Sequence, residues 1–223
     1  MGDLNQLDFI KKNIEKFQAP YLEIGSRYGL TWEMRKLFSN SEYIGLDMED
    51  GPGVDVVLDL TKDFKFVDKI LEQKRFNTVF CLSVLEHCSN PFMLAENITN
   101  LLNKNGVLYV SVPFSWKFHA FPSDYWRFTP EGVRILFPKI VFNFENSNMS
   151  TSDIGDVRKI DNNLCRIRFS TSKFLRQKKY GMATTAAIIK MTRKLGIASW
   201  IFKYRYLLPP VMINMIGIKK EDV

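Results

Sequence analysis

The stretch "YLEIGSRYG", residues 21–29, decides how this chain is expected to fold. Tyr21 to Ile24 form an apolar, strand-like run that ends on Gly25, and a helix-like segment, "LTWEMRKLF" (30–38), follows within a few residues. That segment places Leu30, Met34 and Leu37 on one face, the periodicity of a helix packed on a core. At a strand-to-helix turn the glycines permit close approach, and the backbone N–H groups at the helix start are unpaired. Glu23, Gly25 and Gly29 therefore stand where a ligand can be received, although a tight turn with no ligand fits the same residues.

Working outward, the pattern repeats. "EYIGLD" (42–47) is the second strand, "VDVVLDL" (54–60) a short third, "FNTVFCLS" (76–83) a fourth and "VLYVSV" (107–112) a fifth. Between the last two lies a punctuated helix. Asn90 caps it, Pro91 suits its first position, Leu94, Ile98, Leu101 and Leu102 form its stripe, and Asn105-Gly106 stops it. Apolar strands alternating with helices imply a parallel sheet joined by crossovers. A short helix opened by Thr129 and Pro130 follows, and then "KIVFNFEN" (139–146) and "LCRIRFS" (164–170) alternate as an exposed antiparallel pair does. The expected fold is α/β: a doubly wound, mainly parallel seven-stranded sheet ending in an antiparallel hairpin, with a helical C-terminal appendage. Residues 1–170 form the main domain and 171–223 the extension.

The length of 223 residues and the 46% hydrophobic content suit one globular domain with extensions. The start, "MGDLNQLDFIKKNIEKF", has no continuous apolar core, so a secretory signal is not expected. Three widely spaced cysteines, Cys81, Cys88 and Cys165, argue against a disulfide framework or a zinc site, and no metal is expected. Their number suits a reducing cytoplasm.

Charge divides the chain. Residues 1–157 carry 16 basic and 21 acidic side chains, a balance of −5, whereas residues 158–223 carry 15 and 3, a balance of +12. The basic tail is thus the part suited to anions. Ile188, Met191, Leu195, Ala198 and Phe202 make a helical stripe with Lys190, Arg193 and Lys194 off it, and an uncharged run spans 206–218. That run is too short to cross a bilayer. An interfacial segment at the inner face of the membrane fits, as does a surface that covers the body or a second subunit in a homodimer. The basic residues lack a recognisable nucleic-acid module, so nucleic acid is not an expected partner.

The second strand ends at Asp47, 22 residues past Gly25. In an open parallel sheet the strand ends gather at the ligand crevice, and a carboxylate there can accept from both hydroxyls of a ribose. A dinucleotide fingerprint would need further glycines where this chain has Arg27 and Leu30.

"YLEIGSRYG", "YIGLD", "VDVVLDL", "FNTVFCLSVLEH" and "NKNGVLYVSVPF", in this order over about residues 20–137, resemble the successive motifs of class I S-adenosylmethionine-dependent methyltransferases. The resemblance implies S-adenosyl-L-methionine as cofactor, with Glu23, Gly25 and Ser26 along its methionine part. It places Asp47 on the ribose, Met48 against the adenine, Asp59 and the Leu60 backbone at the adenine edge, and Cys81, Leu82 and Ser83 along the end of the fourth strand. Arg27 departs from the pattern, which usually has glycine there. "SVLEHCSNP" resembles the segment of small-molecule members in which Glu86 and His87 follow the fourth strand; His87 there either touches substrate or bonds backbone and orders the loop. "GPGVDVVLDL" and "HAFPSDYWRFTPEG" together resemble a subgroup associated with sugar and surface-polysaccharide pathways, which implies a small-molecule or glycan acceptor.

"HAFPSDYWRFTPEG" (119–132) concentrates the remaining chemistry. A hydroxyl acceptor needs a base, and His119 is the candidate, since an imidazole is partly neutral near neutral pH. Asp124 can orient it or bind a polyol acceptor, Tyr125 and Trp126 offer faces to a sugar ring, and Arg127 can pair with a carboxylate or phosphate. The same residues admit another reading, in which Arg127 clips Asp124 and the aromatics anchor the loop. Two other functions fit the sequence: an RNA or protein methyltransferase that captures its polymer on the basic tail, and an inactive cofactor-binding scaffold.

Overall fold

The computed structural model describes residues 4–27, 31–39, 41–120, 122–161, 170–197 and 211–220. Strands β1 (Tyr21–Ile24), β2 (Tyr43–Asp47), β3 (Val56–Val57), β4 (Phe76–Leu82) and β5 (Leu102–Ser115) lie in the order β3-β2-β1-β4-β5, all parallel. The chain runs outward from β1 to β3 and then returns to the other side of β1 with β4. The carboxyl ends of β1 and β4 therefore flank the point where strand order reverses, the place where an open α/β sheet leaves a crevice.

Local sequence explains the helices between them. Helix α1 (Leu4–Lys12) precedes β1, and α2 (Thr31–Leu37) buries Met34 completely. Helix α3 (Phe64–Ile70) is capped by Asp63, whose carboxylate accepts from the Lys65 N–H at 2.9 Å. Helix α4 (Pro91–Leu101) begins with the Asn90 cap and Pro91, as expected, and α5 (Pro130–Leu136) with Thr129 bonded to the Gly132 N–H at 3.0 Å. Phe9, Phe17, Tyr21, Phe38, Phe80 and Tyr109 meet in one aromatic core on the α1 face, with Phe17 and Phe80 edge to face at 5.1 Å.

The end of the sheet corrects the sequence reading. Residues 211–219, expected within the helical extension, form strand β9 (Val211–Lys219). It is antiparallel to β5 and stands between β5 and β7 (Asn148–Thr151), while β6 (Ile140–Phe142) pairs with another part of it. The hairpin partner of β7 is β8 (Val157–Lys159), inside what reads as a polar connection; the strand expected at 164–170 falls almost wholly outside the described residues. Seven successive β9 residues, Val211 to Gly217, are buried, so the run is apolar because both its faces are covered rather than because it meets lipid. The sheet thus holds nine strands among the described residues.

The polar residue within β9 is fully satisfied. Asn214 accepts from the Tyr109 hydroxyl at 3.0 Å and the Ser111 hydroxyl at 2.8 Å, and donates to Asn148 and Ser150 at 2.9 and 3.0 Å. This network fixes the register of β5, β9 and β7.

The chain divides into two compact units, residues 1–162 with 210–223, and residues 163–209. In the second, α6 (Thr171–Arg176) and α7 (Tyr180–Lys194) pack on each other through Phe174, Ala183 and Ala186. Among the described residues no helix is long and apolar enough to cross a membrane.

Candidate active site

The crevice begins at the turn after β1. Gly25 has φ +77°, and a Cβ there would lie 2.5 Å from the Val84 side chain, so both conformation and space require glycine. The Gly25 and Ser26 N–H groups both bond the Leu46 carbonyl, at 2.8 and 3.1 Å, drawing the turn onto the end of β2. Glu23 is buried and accepts from the Tyr43 hydroxyl at 2.7 Å; burial, and then the Glu23 charge, push that phenol far up. Gly29 lies outside the described residues.

Asp47 sits where β2 ends, half-buried, and burial raises its carboxyl. Its oxygens accept from the Glu49 N–H at 3.1 Å and the Arg27 N–H at 3.4 Å, which turns the carboxylate along the loop edge. The Arg27 guanidinium crosses Gly51 to pair with Glu49, which is how this turn accommodates an arginine. Met48 is exposed. Asp59, beyond β3, accepts from the Thr61 N–H and hydroxyl at 2.8 and 2.7 Å. Burial pushes its carboxyl up, but those bonds and nearby Lys62 outweigh it and hold the group low. Leu60 is buried and its carbonyl is held by Asn97 at 2.7 Å.

At the end of β4, Cys81 is fully buried, and desolvation pushes its thiol far up, which does not suit a nucleophile. Leu82 follows, and Ser83 turns the chain in the left-handed region with φ +55°. Gln6 of α1 donates to Ser83 Oγ at 3.0 Å and Ser111 Oγ at 2.7 Å, tying the amino-terminal helix to the ends of β4 and β5. Nothing in the sequence singles Gln6 out; a glutamine in an amphipathic helix reads as surface, and this one is fully buried.

Beyond Ser83, a short 3-10 turn (Leu85–His87) meets the loop 116–129. The Glu86 carbonyl accepts from the Tyr125 and Trp126 N–H groups at 2.8 and 3.3 Å, and Trp126 Nε1 donates to the Cys88 carbonyl at 2.8 Å. Asp124 has a fully covered side chain. It accepts from Arg127 Nη1 and Nη2 at 2.5 and 2.7 Å, and from the His119 N–H at 2.8 Å. The guanidinium first, then the His119 contact, hold its carboxyl well below the usual range. Arg127 also donates to the carbonyls of Trp116, Lys117 and Trp126, so its donors are spent within the loop and it acts as a clip. This is the clip that the sequence admits as its second reading.

His119 lies with Nδ1 3.2 Å from Asp124 Oδ2 and 3.1 Å from the Lys117 carbonyl. Its ring stands edge to face with His87 at 5.0 Å. His87 is half-buried with Nδ1 2.6 Å from the Ser123 carbonyl; desolvation lowers its basicity, outweighing that contact. Glu86 completes the cluster. It is 1% exposed, and burial pushes its carboxyl up to about 7. On the same loop as His119, Tyr125 and Phe118 are exposed at 54% and 76%.

Residues 6–146 match the sequence profile of the methyltransferase-domain family. The chain belongs to that family. The chain's fold is shared by a SAM-dependent methyltransferase from Archaeoglobus fulgidus, at 16% identity and TM-score 0.54, covering 97% of this chain and 93% of that one. It is also shared by the Burkholderia thailandensis 1,6-didemethyltoxoflavin-N1-methyltransferase, solved with bound 1,6-didemethyltoxoflavin and S-adenosylhomocysteine, at 9% identity and TM-score 0.54, covering 98% and 78%. The [4+2]-cyclase SpnF is similar as well, at 11% identity and TM-score 0.50, covering 98% and 80%. No curated protein matches the chain in sequence. For this methyltransferase the fold expectation is met: a mostly parallel Rossmann-like sheet completed by antiparallel strands.

Proposed function

We propose that this methyltransferase takes its methyl group from S-adenosylmethionine and delivers it to a hydroxyl of a small polar acceptor, a sugar or polyol, free or lipid-linked. The residues at the strand ends fit the cofactor in their hydrogen-bonding groups. Glu23 and the Gly25 turn end β1, Asp47 ends β2 with a part-exposed carboxylate, and Cys81 to Ser83 close the β4 side. The cofactor supplies an electrophilic methyl carbon, and the chain supplies alignment and proton removal.

The observation that carries the acceptor reading is the His119–Asp124–Arg127 arrangement. A carbonyl and a carboxylate can only accept, so His119 bears its proton on Nδ1 and keeps the lone pair on Nε2. In that tautomer Nε2 takes the acceptor's proton, Asp124 stabilises the cation that results, and Arg127 holds Asp124 in place. Exposed Tyr125 and Phe118 provide the apolar faces a sugar ring uses. Replacing His119 with Ala is expected to lower turnover on the true acceptor by roughly two to four orders of magnitude. Affinity for S-adenosylhomocysteine should stay nearly unchanged. Full activity in the variant would end the base assignment.

The second unit supports a peripheral contact. Helix α7 exposes Ile188 and Met191 beside Lys190, Arg193 and Lys194, the mixture that suits an anionic lipid surface.

A further inference from the structure

We propose that Glu86, His87 and His119 form a binding site for one divalent first-row transition ion at the acceptor side of the crevice. One ligand atom from each of the three side chains lies within 4.8 Å of the others. Both imidazoles are prepared as ligands. His87 Nδ1 is held by the Ser123 carbonyl at 2.6 Å, and His119 Nδ1 by the Lys117 carbonyl and the Asp124 carboxylate at 3.1 and 3.2 Å. Each therefore carries its proton on Nδ1 and its lone pair on Nε2, with the ring orientation fixed by a second partner, as metal-bound histidines are.

An independent observation points the same way. Glu86 is 1% exposed and its Oε2 has no hydrogen-bond partner, while its Oε1 lies 4.0 Å from His87 Nε2. A buried carboxyl oxygen with an unused acceptor is costly, and a bound cation would use it; the group's own backbone N–H and the Arg127 charge act on the carboxyl without bonding this oxygen. The supporting shell is rigid: Tyr125 and Trp126 bond the Glu86 carbonyl, and Arg127 locks Asp124. Ligand atoms around a ~2.1 Å metal bond sit roughly 3–3.5 Å apart, so the three side chains need to draw in by about 1 Å. The His119 side chain is 32% exposed, so the movement falls on a partly solvated ring rather than on the core.

One carboxylate and two imidazoles favour zinc, cobalt, iron or manganese over calcium or magnesium, and three protein ligands leave positions open. An acceptor hydroxyl in an open position loses its proton to solvent because coordination lowers its pKa. Its oxygen pair then forms the bond to the methyl carbon as the carbon–sulfur pair passes to sulfur, leaving S-adenosylhomocysteine. This consequence rests on the methyl-transfer reading; ion binding does not. Once the ion occupies Nε2, His119 no longer takes the proton itself.

The test uses the untagged 223-residue chain, freed of metal with EDTA and titrated with Co²⁺ by calorimetry and visible absorption. Only His87 and His119 supply imidazoles in this chain, so no other histidine contributes. The expected result is one Co²⁺ per chain with visible ligand-field bands, and at least about tenfold weaker binding in Glu86→Gln and in His119→Ala. The latter lies on the loop and leaves the core intact. S-adenosylhomocysteine is titrated into the same metal-free samples. A chain that binds S-adenosylhomocysteine but neither Co²⁺ nor Zn²⁺ overturns the site, as does Co²⁺ affinity equal to wild type in both variants. A chain that binds Co²⁺ through these residues but takes no S-adenosylhomocysteine supports the site while removing the methyl-transfer reading.

Discussion

Replacing Asp124 with Asn keeps the shape of the loop and removes its charge. In the native chain the covered carboxylate takes two bonds from Arg127 and one from the His119 N–H, while Arg127 remains 28% exposed. Losing one partner of a buried pair costs about 3–5 kcal/mol and of an exposed pair about 0.2–1 kcal/mol. With one partner covered and the other reached by water, the expected loss is about 2 kcal/mol. For a chain of this length that corresponds to a midpoint lower by about 4–8 °C. The pH dependence follows from the sign of the shift. Arg127 depresses the folded-state pKa of Asp124, so the stabilisation is complete above the ordinary aspartate value and is lost as pH falls through the folded one. Urea denaturation at neutral pH should show the deficit in Asp124→Asn, and the gap to wild type should close under strongly acidic conditions. Affinity for S-adenosylhomocysteine should be unchanged, because the clip touches none of the cofactor residues. A variant as stable as wild type at neutral pH, or a deficit that does not shrink in acid, would refute the ionic clip.

Two other outcomes follow from the same structure. Gly25→Ala places a methyl group 2.5 Å from Val84 at φ +77°, so it should lose about 2–4 kcal/mol in denaturation and weaken S-adenosylhomocysteine in calorimetry, with partial recovery of stability in Gly25→Ala/Val84→Ala. Changing Ile188 and Met191 to Ser should abolish flotation with anionic liposomes while leaving the melting midpoint within about 2 °C, since both side chains are exposed; equal flotation would end the membrane proposal.

The parallel half of the sheet was legible because each element carries its own local signal. β1 ends at Gly25, α4 begins at Asn90-Pro91, and α5 begins at Thr129-Pro130, all as the sequence implies. β9 was not legible, because its reason lies about a hundred residues away, in its pairing with β5. An apolar run such as "VMINMIGI" has the same composition whether it is covered by lipid, a helix face or two strands; only the register of Asn214 against Tyr109 and Ser111 decides it. The site divides in the same manner. Asp47 and His119 announce themselves by residue type at an informative position. Gln6, the orphan oxygen of Glu86 and the expenditure of Arg127 inside its own loop depend on tertiary placement, to which no spacing rule in the chain refers.

The measurement closest to the central claim is a calorimetric titration of the full chain with S-adenosylhomocysteine, beside Asp47→Ala. A crevice that holds the cofactor through the end of β2 predicts one molecule bound per chain and at least about tenfold weaker binding in the variant, the loss of one charged hydrogen-bonding group. No binding by the folded chain, or equal affinity in Asp47→Ala, would contradict it.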